Sequence, residues 1–180
     1  MTIALRTRTS LENLITAWVK LVWPTRTAIV GWPGAPRPTT FPYVEFLLSA
    51  VTTIGHDEHL EIDASGYQEI RGDRLLHFSV NAFGAGALDM IRALSNSIWM
   101  QSVAAVLLAG GLAPQPPGPI NDLTKFLESQ AEERAHVDMT FGIKDCYLDL
   151  VGWIEHVNAA GVITADTGTS IAISFAADLT

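Results

Sequence analysis

The chain has 180 residues, 48% of them hydrophobic and 17% charged, which is enough apolar material for one packed core and rules against disorder. Its 11 Lys and Arg face 19 Asp and Glu for a formal charge of −8, and the basic residues do not cluster beyond Arg6 and Arg8, so binding of nucleic acid through phosphate neutralisation is excluded as a main role. The single cysteine, Cys146, excludes an intrachain disulfide framework and a cysteine-based zinc site. No apolar run approaches the roughly 20 residues that span a bilayer, and the first ten residues lack the apolar core of a signal peptide. The expectation is a soluble protein of an intracellular compartment, with no membrane partner.

Thr9-Ser10-Leu11-Glu12 has the form of a capping box. Leu11, Leu14, Ile15, Trp18, Val19 and Val22 follow at helical spacing, and Pro24 ends the pattern. Ala28-Ile29-Val30 reads as a short strand. Residues 31–42 hold four prolines and two glycines and read as a stiff extended loop. Residues 43–53 alternate, with Val44, Phe46, Leu48 and Ala50 set against Tyr43, Glu45 and Ser49. Residues 55–66 are polar and acidic, and with 66–74 they are expected to form a hairpin projecting past the sheet. Leu76, Phe78, Val80 and Ala82 alternate with His77, Ser79 and Asn81, the period of a half-buried central strand. After Gly84-Ala85-Gly86 a helix is expected over 89–98, with Leu88, Ile91, Leu94 and Ile98 on its stripe, then a helical region over 102–108 stopped by Gly110-Gly111.

Pro114 to Pro119 forms a second rigid loop, and Asp122 is expected to cap a short helix through Phe126. Residues 136–144 alternate as a strand, with Val137, Met139, Phe141 and Ile143 inward. Residues 145–157 suggest another strand, and 171–175 one more. Residues 158–180 are rich in Ala, Gly and Thr and are expected to form an extended C-terminal arm. This order fits a single α+β domain over 1–180, a mostly antiparallel sheet with helices packed on one face.

The chemistry-bearing clusters are sparse. His56-Asp57-Glu58-His59 is the densest set of potential metal ligands, but the His-x-x-His spacing in an extended segment lacks the helical register of a zinc protease, and it reads as a solvated loop. Arg71-Gly72-Asp73 is a chance tripeptide in which Gly72 marks a bulge or bend. Gly84-x-Gly86 is too short for a dinucleotide fingerprint, and Asp145 and Asp149 beside Cys146 disfavour a reactive thiolate. The acidic run Glu128, Glu132, Glu133 and Asp138, with Arg134, suits a surface meeting a neighbour. Rigid loops and aromatic side chains (Trp23, Trp32, Tyr67, Trp153) suit a subunit interface. The candidate interface residues are Arg37, Tyr43, His56, Glu58, Tyr67, Glu69, Arg71, Asp73, Arg74, Glu133, Arg134 and Trp153; no catalytic, cofactor or metal residue is assigned.

Four blocks occur in one order: Ala35-Pro36-Arg37-Pro38 with Pro42-Tyr43; Gly72-Asp73-Arg74 leading into the strand ending at Gly84; Glu132-Glu133-Arg134-Ala135 before Asp138-Met139-Thr140-Phe141; and Gly152-Trp153-Ile154-Glu155-His156-Val157. Together they resemble the phage neck terminator proteins over roughly residues 10–163. The resemblance implies a structural virion protein without catalytic residues or cofactors. It implies a homohexameric ring that caps the tail tube, ends its polymerisation, and meets a head-completion, stopper or connector protein, with the tail sheath as a further partner in contractile tails. The implied location is the neck of the virion after assembly in the host cytoplasm. Six copies at −8 each carry −48, and a conduit of that sign lets genomic DNA pass without specific binding. Two rival readings are a stopper protein one layer higher in the neck and a small metal-dependent enzyme using His56 and His59.

Overall fold

The computed structural model describes residues 2–4, 7–31, 36–127, 130–152, 156–164 and 170–178. The elements run β1 (Thr2–Ala4), α1 (Arg8–Val22), β2 (Thr27–Val30), β3 (Tyr43–Ile62), β4 (Tyr67–Phe83), α2 (Ala87–Ser97), α3 (Gln101–Ala109), β5 (Ala113–Pro114), β6 (Asn121–Asp122), β7 (Lys125–Leu127), β8 (Gln130–Glu132), β9 (Arg134–Leu150), β10 (His156–Thr164) and β11 (Ser170–Asp178). The architecture is the expected α+β, built on a mostly antiparallel sheet of order β1-β9-β4-β3-β2, with only β2 running parallel to its neighbour β3. Among the described residues, β10 and β11 pair with each other and with no strand of this sheet, as do β7 and β8.

β4 is the central strand, and the alternation of its sequence explains its place. Leu76, Phe78, Val80 and Ala82 are all buried. Beside them in register lie Phe141, Met139, Val137 and Ala135 of β9 on one side, and Val51, Leu48, Phe46 and Val44 of β3 on the other. This apolar face is covered by Leu11, Ile15, Trp18 and Val19 of α1, by Met90, Ile91 and Leu94 of α2, and by Val103 and Leu107 of α3. Trp18 is the pin of the helical layer. Its ring sits edge-on to Phe141 at 5.9 Å, and its indole N–H donates to Ser97 Oγ at 2.9 Å in the buried interior. Ser97 in turn donates to the Leu94 carbonyl at 2.7 Å, so one hydroxyl ties α1 to α2 without stranding a polar atom.

Several local expectations are corrected. The cap of α1 is Thr7, whose hydroxyl accepts from Ser10 N at 3.2 Å; Thr9 lies inside the first turn, and Glu12 pairs with Arg8 at 2.7 Å instead of closing a box. Ala50 does not continue the inward face of β3. An extra residue at Ser49 shifts the register, so Ala50 lies opposite His77 and Val51 lies opposite Leu76. Leu88 is exposed, and Met90 takes the place on the α2 stripe given to it. The short helix after Asp122 does not form. The Asp122 carboxylate accepts from Thr124 N and Oγ1 in a tight turn, and the chain continues as β6 and β7. The strands over 136–144 and 145–157 are joined as far as Leu150 in one strand, β9.

The two edges of the sheet are treated differently. The outer edge of β9 is covered by β1 against Cys146–Leu148 and by the proline-rich segment 113–123 against residues 134–142. Along that segment Gln115 N donates to Thr140 O, Gly118 N to Asp138 O and Leu123 N to Arg134 O. Among the described residues, the outer edge of β3 is covered by a strand only at Tyr43–Phe46, by β2. Beyond that point β3 carries three irregularities against β4, at 48–50, 54–58 and 59–62, and uses four more residues than β4 between their first and last pairs. Bulges of this kind twist an edge out of the flat geometry that invites another strand. The β3–β4 turn is not a free hairpin, because β9 pairs with β4 along its whole length and the N–H groups of Val151 and Gly152 both donate to Gly66 O at 3.1 Å.

Ser97→Ala removes the acceptor for the buried Trp18 indole. It is expected to destabilise the protein by about 1–3 kcal/mol, read as a lower urea midpoint with an unchanged m-value. A midpoint equal to that of the wild type would show that the indole finds another partner.

Candidate functional site

The interface candidates that lie among the described residues fall toward two opposite ends of β4. At the Phe83 end, Tyr43, Phe83 and Arg134 lie side by side in register on β3, β4 and β9, on the face turned away from the helices. Tyr43 stacks on Phe83 at 4.8 Å, and Phe41 packs on Tyr43 at 5.4 Å. The guanidinium carbons of Arg37 and Arg134 lie 5.7 and 5.0 Å from the centre of the Phe83 ring, a double cation–π contact. Arg134 also donates to Asn81 Oδ1 at 3.0 Å. Burial is the main cause that raises the Tyr43 phenol above its ordinary 10. A recess of about 260 Å³ opens here, lined by Arg37, Phe83, Leu123, Lys125, Glu132 and Arg134. Glu133, the remaining candidate at this end, serves its own chain: its Oε2 accepts from Gly86 N at 2.7 Å, at the N-terminus of α2.

At the other end the helices no longer cover the sheet, and a polar clamp replaces the apolar core. Arg74 of β4 forms two 2.8 Å bonds to the carboxylate of Asp57 on β3, and its Nε lies 3.7 Å from Asp145 on β9. Tyr147 of β9 donates its hydroxyl to Asp57 Oδ2 at 2.8 Å. Three strands are thus tied by one guanidinium and one phenol. Asp57 reaches the clamp because three residues of β3, Gly55 to Asp57, stand opposite the single residue Gly72 of β4. Gly72 is the floor of the clamp. A Cβ there would collide with the Arg74 guanidinium and with Asp57 Oδ1, so a larger residue would push the clamp out of its geometry. The bulge expected at Gly72 therefore belongs to the opposing strand, and Gly72 itself pairs regularly with Asp145.

The other candidates surround this clamp. Glu69 and Arg71 pair with each other at 2.8 Å, and Asp73 lies 3.8 Å from Lys144. Glu58 stands opposite Arg71 in the ladder, Tyr67 opposite Leu150, and His56 is exposed on the β3 bulge. Trp153 lies outside the described residues. His59 bonds to Gln68 at 3.2 Å, and among the described residues no group of three or more His, Cys, Asp or Glu is placed to hold a metal. The metal-enzyme reading gains no support from the geometry. Sequence reasoning missed Phe83 and Lys125 at one end and Asp145 and Tyr147 at the other, and it read Glu132 only as part of an acidic run. Its one usable signal was Gly72, an isolated glycine within a strand beside an arginine, a mark of close approach.

The hydrogen bond from Arg74, and next that from Tyr147, lower the Asp57 carboxyl from 3.8 to about 2. The same bond raises the Tyr147 phenol above its ordinary 10. Because the folded value of Asp57 is depressed, its contribution to stability is fully present above pH 3.8 and is lost as pH falls toward 2. Asp57→Asn is therefore expected to be less stable than wild type at pH 7, with the gap closing between about pH 4 and pH 2 in urea unfolding. A gap that stays constant across that range would show that the clamp does not depend on the carboxylate charge.

In comparisons with known proteins, the family model described as "Phage neck terminator protein" matches residues 9–168. No curated protein matches the chain. The matched span contains both ends of the sheet and all three helices. This family is one of structural phage neck proteins and not of enzymes, which places the protein in the virion. The chain belongs to the phage neck terminator family.

Proposed function

We propose that this protein is a tail terminator that assembles as a ring of six copies, closes the top of the tail tube, ends its polymerisation, and joins the tail to a head-completion or connector protein. The observation that carries this reading is the separation of two chemically different surfaces at the two ends of one rigid sheet. β4 has 17 residues and spans roughly 55 Å at about 3.3 Å per residue. A cationic aromatic recess marks one end and an acidic turn the other. Unlike ends favour a heterologous self-contact, and a heterologous contact that closes makes a ring. The acidic balance fits a conduit that does not hold DNA.

Multi-angle light scattering of the purified chain is expected to give a species of six times the 19.5 kDa chain mass. Removing the gene from its phage is expected to give tails of abnormal length, or finished tails that never join heads. Tails of normal length that fail only to hold DNA in the head would assign the protein to the stopper layer instead. Normal joined particles would overturn both neck readings.

A further inference from the structure

Basic side chains are scarce in this acidic protein, and three of those without a carboxylate partner share one recess. Arg8, Arg71, Arg74, Arg92 and Lys144 each lie within 3.8 Å of a carboxylate of their own chain. Arg37, Lys125 and Arg134, like Lys20 and Arg26, have no such carboxylate among the described residues, and these three line the recess over Phe83. The recess holds one acid, Glu132, against the three cations. Phe83 holds Arg37 and Arg134 over its ring and takes one side of each guanidinium out of water, and Arg134 spends one N–H on Asn81 Oδ1.

At the opposite end of the sheet the imbalance is reversed. Glu58 and Glu61 are exposed and have no cation partner within salt-bridge distance among the described residues. Between them and β4 lies the β3–β4 turn, held rigid by the Asp63 carboxylate, which accepts from Ser65 N at 2.8 Å and Tyr67 N at 3.0 Å. The chain thus presents unpaired carboxylates on a stiff tip and unpaired cations in a recess at the other end of the same sheet.

We propose that the Glu58–Glu61 tip of one copy seats in the Arg37–Lys125–Arg134 recess of the next copy, an inference that rests on the ring reading above. Charge complementarity selects the occupant. The recess, at about 260 Å³, takes one or two carboxylate side chains. Duplex DNA, with a phosphate charge about every 1.7 Å of axis, calls for an extended row of cations, whereas this recess gathers three at one point. The contact joins unlike surfaces, so rotation repeats it around a ring. Electrostatic pairing at this seat sets which end meets which and makes ring formation sensitive to salt.

The test uses the full chain in sedimentation velocity at low and high salt, with three variants: R37E/K125E, E58K/E61K, and the two combined. Circular dichroism melts establish that each variant is folded. Each one-sided variant is expected to weaken ring assembly by about tenfold or more at low salt, and the combined variant, with the charges exchanged, to recover most of that loss. One-sided variants that assemble like the wild type, or a combined variant no better than either parent, overturn the seat and leave the ring intact. A wild-type chain that stays monomeric at every concentration removes the ring and the seat together. Binding of a short DNA duplex by the wild type that is lost in R37E/K125E would assign the recess to phosphate and also overturn the proposal.

Discussion

β4 is hydrogen-bonded on both sides over its length, to β3 and to β9, and the rest of the molecule is arranged around that constraint. A strand paired on both edges cannot expose backbone, so everything depends on what covers its two faces. Three short helices cover only the Leu76 to Phe83 half of one face, because helices of 15, 11 and 9 residues reach roughly 22, 16 and 14 Å at about 1.5 Å per residue. The sheet outruns its helical layer by nearly half its length. Where the helices end, apolar side chains would lie bare, and the sequence changes to Arg74, Asp57, Asp145 and Tyr147, which satisfy one another across three strands.

Stability is therefore divided between two mechanisms along one strand. The covered half is held by burial, with Trp18, Phe78 and Phe141 meeting edge to face. The uncovered half is held by a charge-assisted network whose guanidinium is 14% exposed and whose principal carboxylate is 20% exposed. That is sheltered enough for geometry to matter and open enough to avoid the full desolvation cost of a buried pair. The second mechanism depends on an ionised carboxylate and the first does not, so acid weakens the far end of the sheet and leaves the packing of the core untouched.

The core was legible in the sequence because alternation is a local signal: Leu76 to Ala82 and Val137 to Ile143 each report their own face. That residues 54–62 and 145–150 continue β3 and β9, instead of forming a separate hairpin and strand, was not, because that continuity depends on partners far away in the chain. The extra residue at Ser49 has no mark in Leu48-Ser49-Ala50, where no glycine or proline signals a bulge. Asp122 was misread because a carboxylate that caps a helix and one that closes a turn make the same bond to a nearby N–H. At the two ends of the sheet, Arg37, Tyr43, Arg74 and Arg134 were named individually as interface candidates. Their convergence with Phe83, Lys125, Asp57 and Tyr147 is a property of strand register, which one sequence without its fold does not reveal.

The proline-rich strip along β9 has a consequence beyond its own pairing. Gln115 and Gly118 spend their N–H groups inward, and Pro114, Pro116, Pro117 and Pro119 stand at positions that have no N–H to offer outward. The strip is a one-sided strand, able to receive pairing from within but nearly without donors for a newcomer. Sheet growth by strand addition is chemically extinguished on that flank. A partner that meets this flank must do so through side chains and loops instead of backbone pairing.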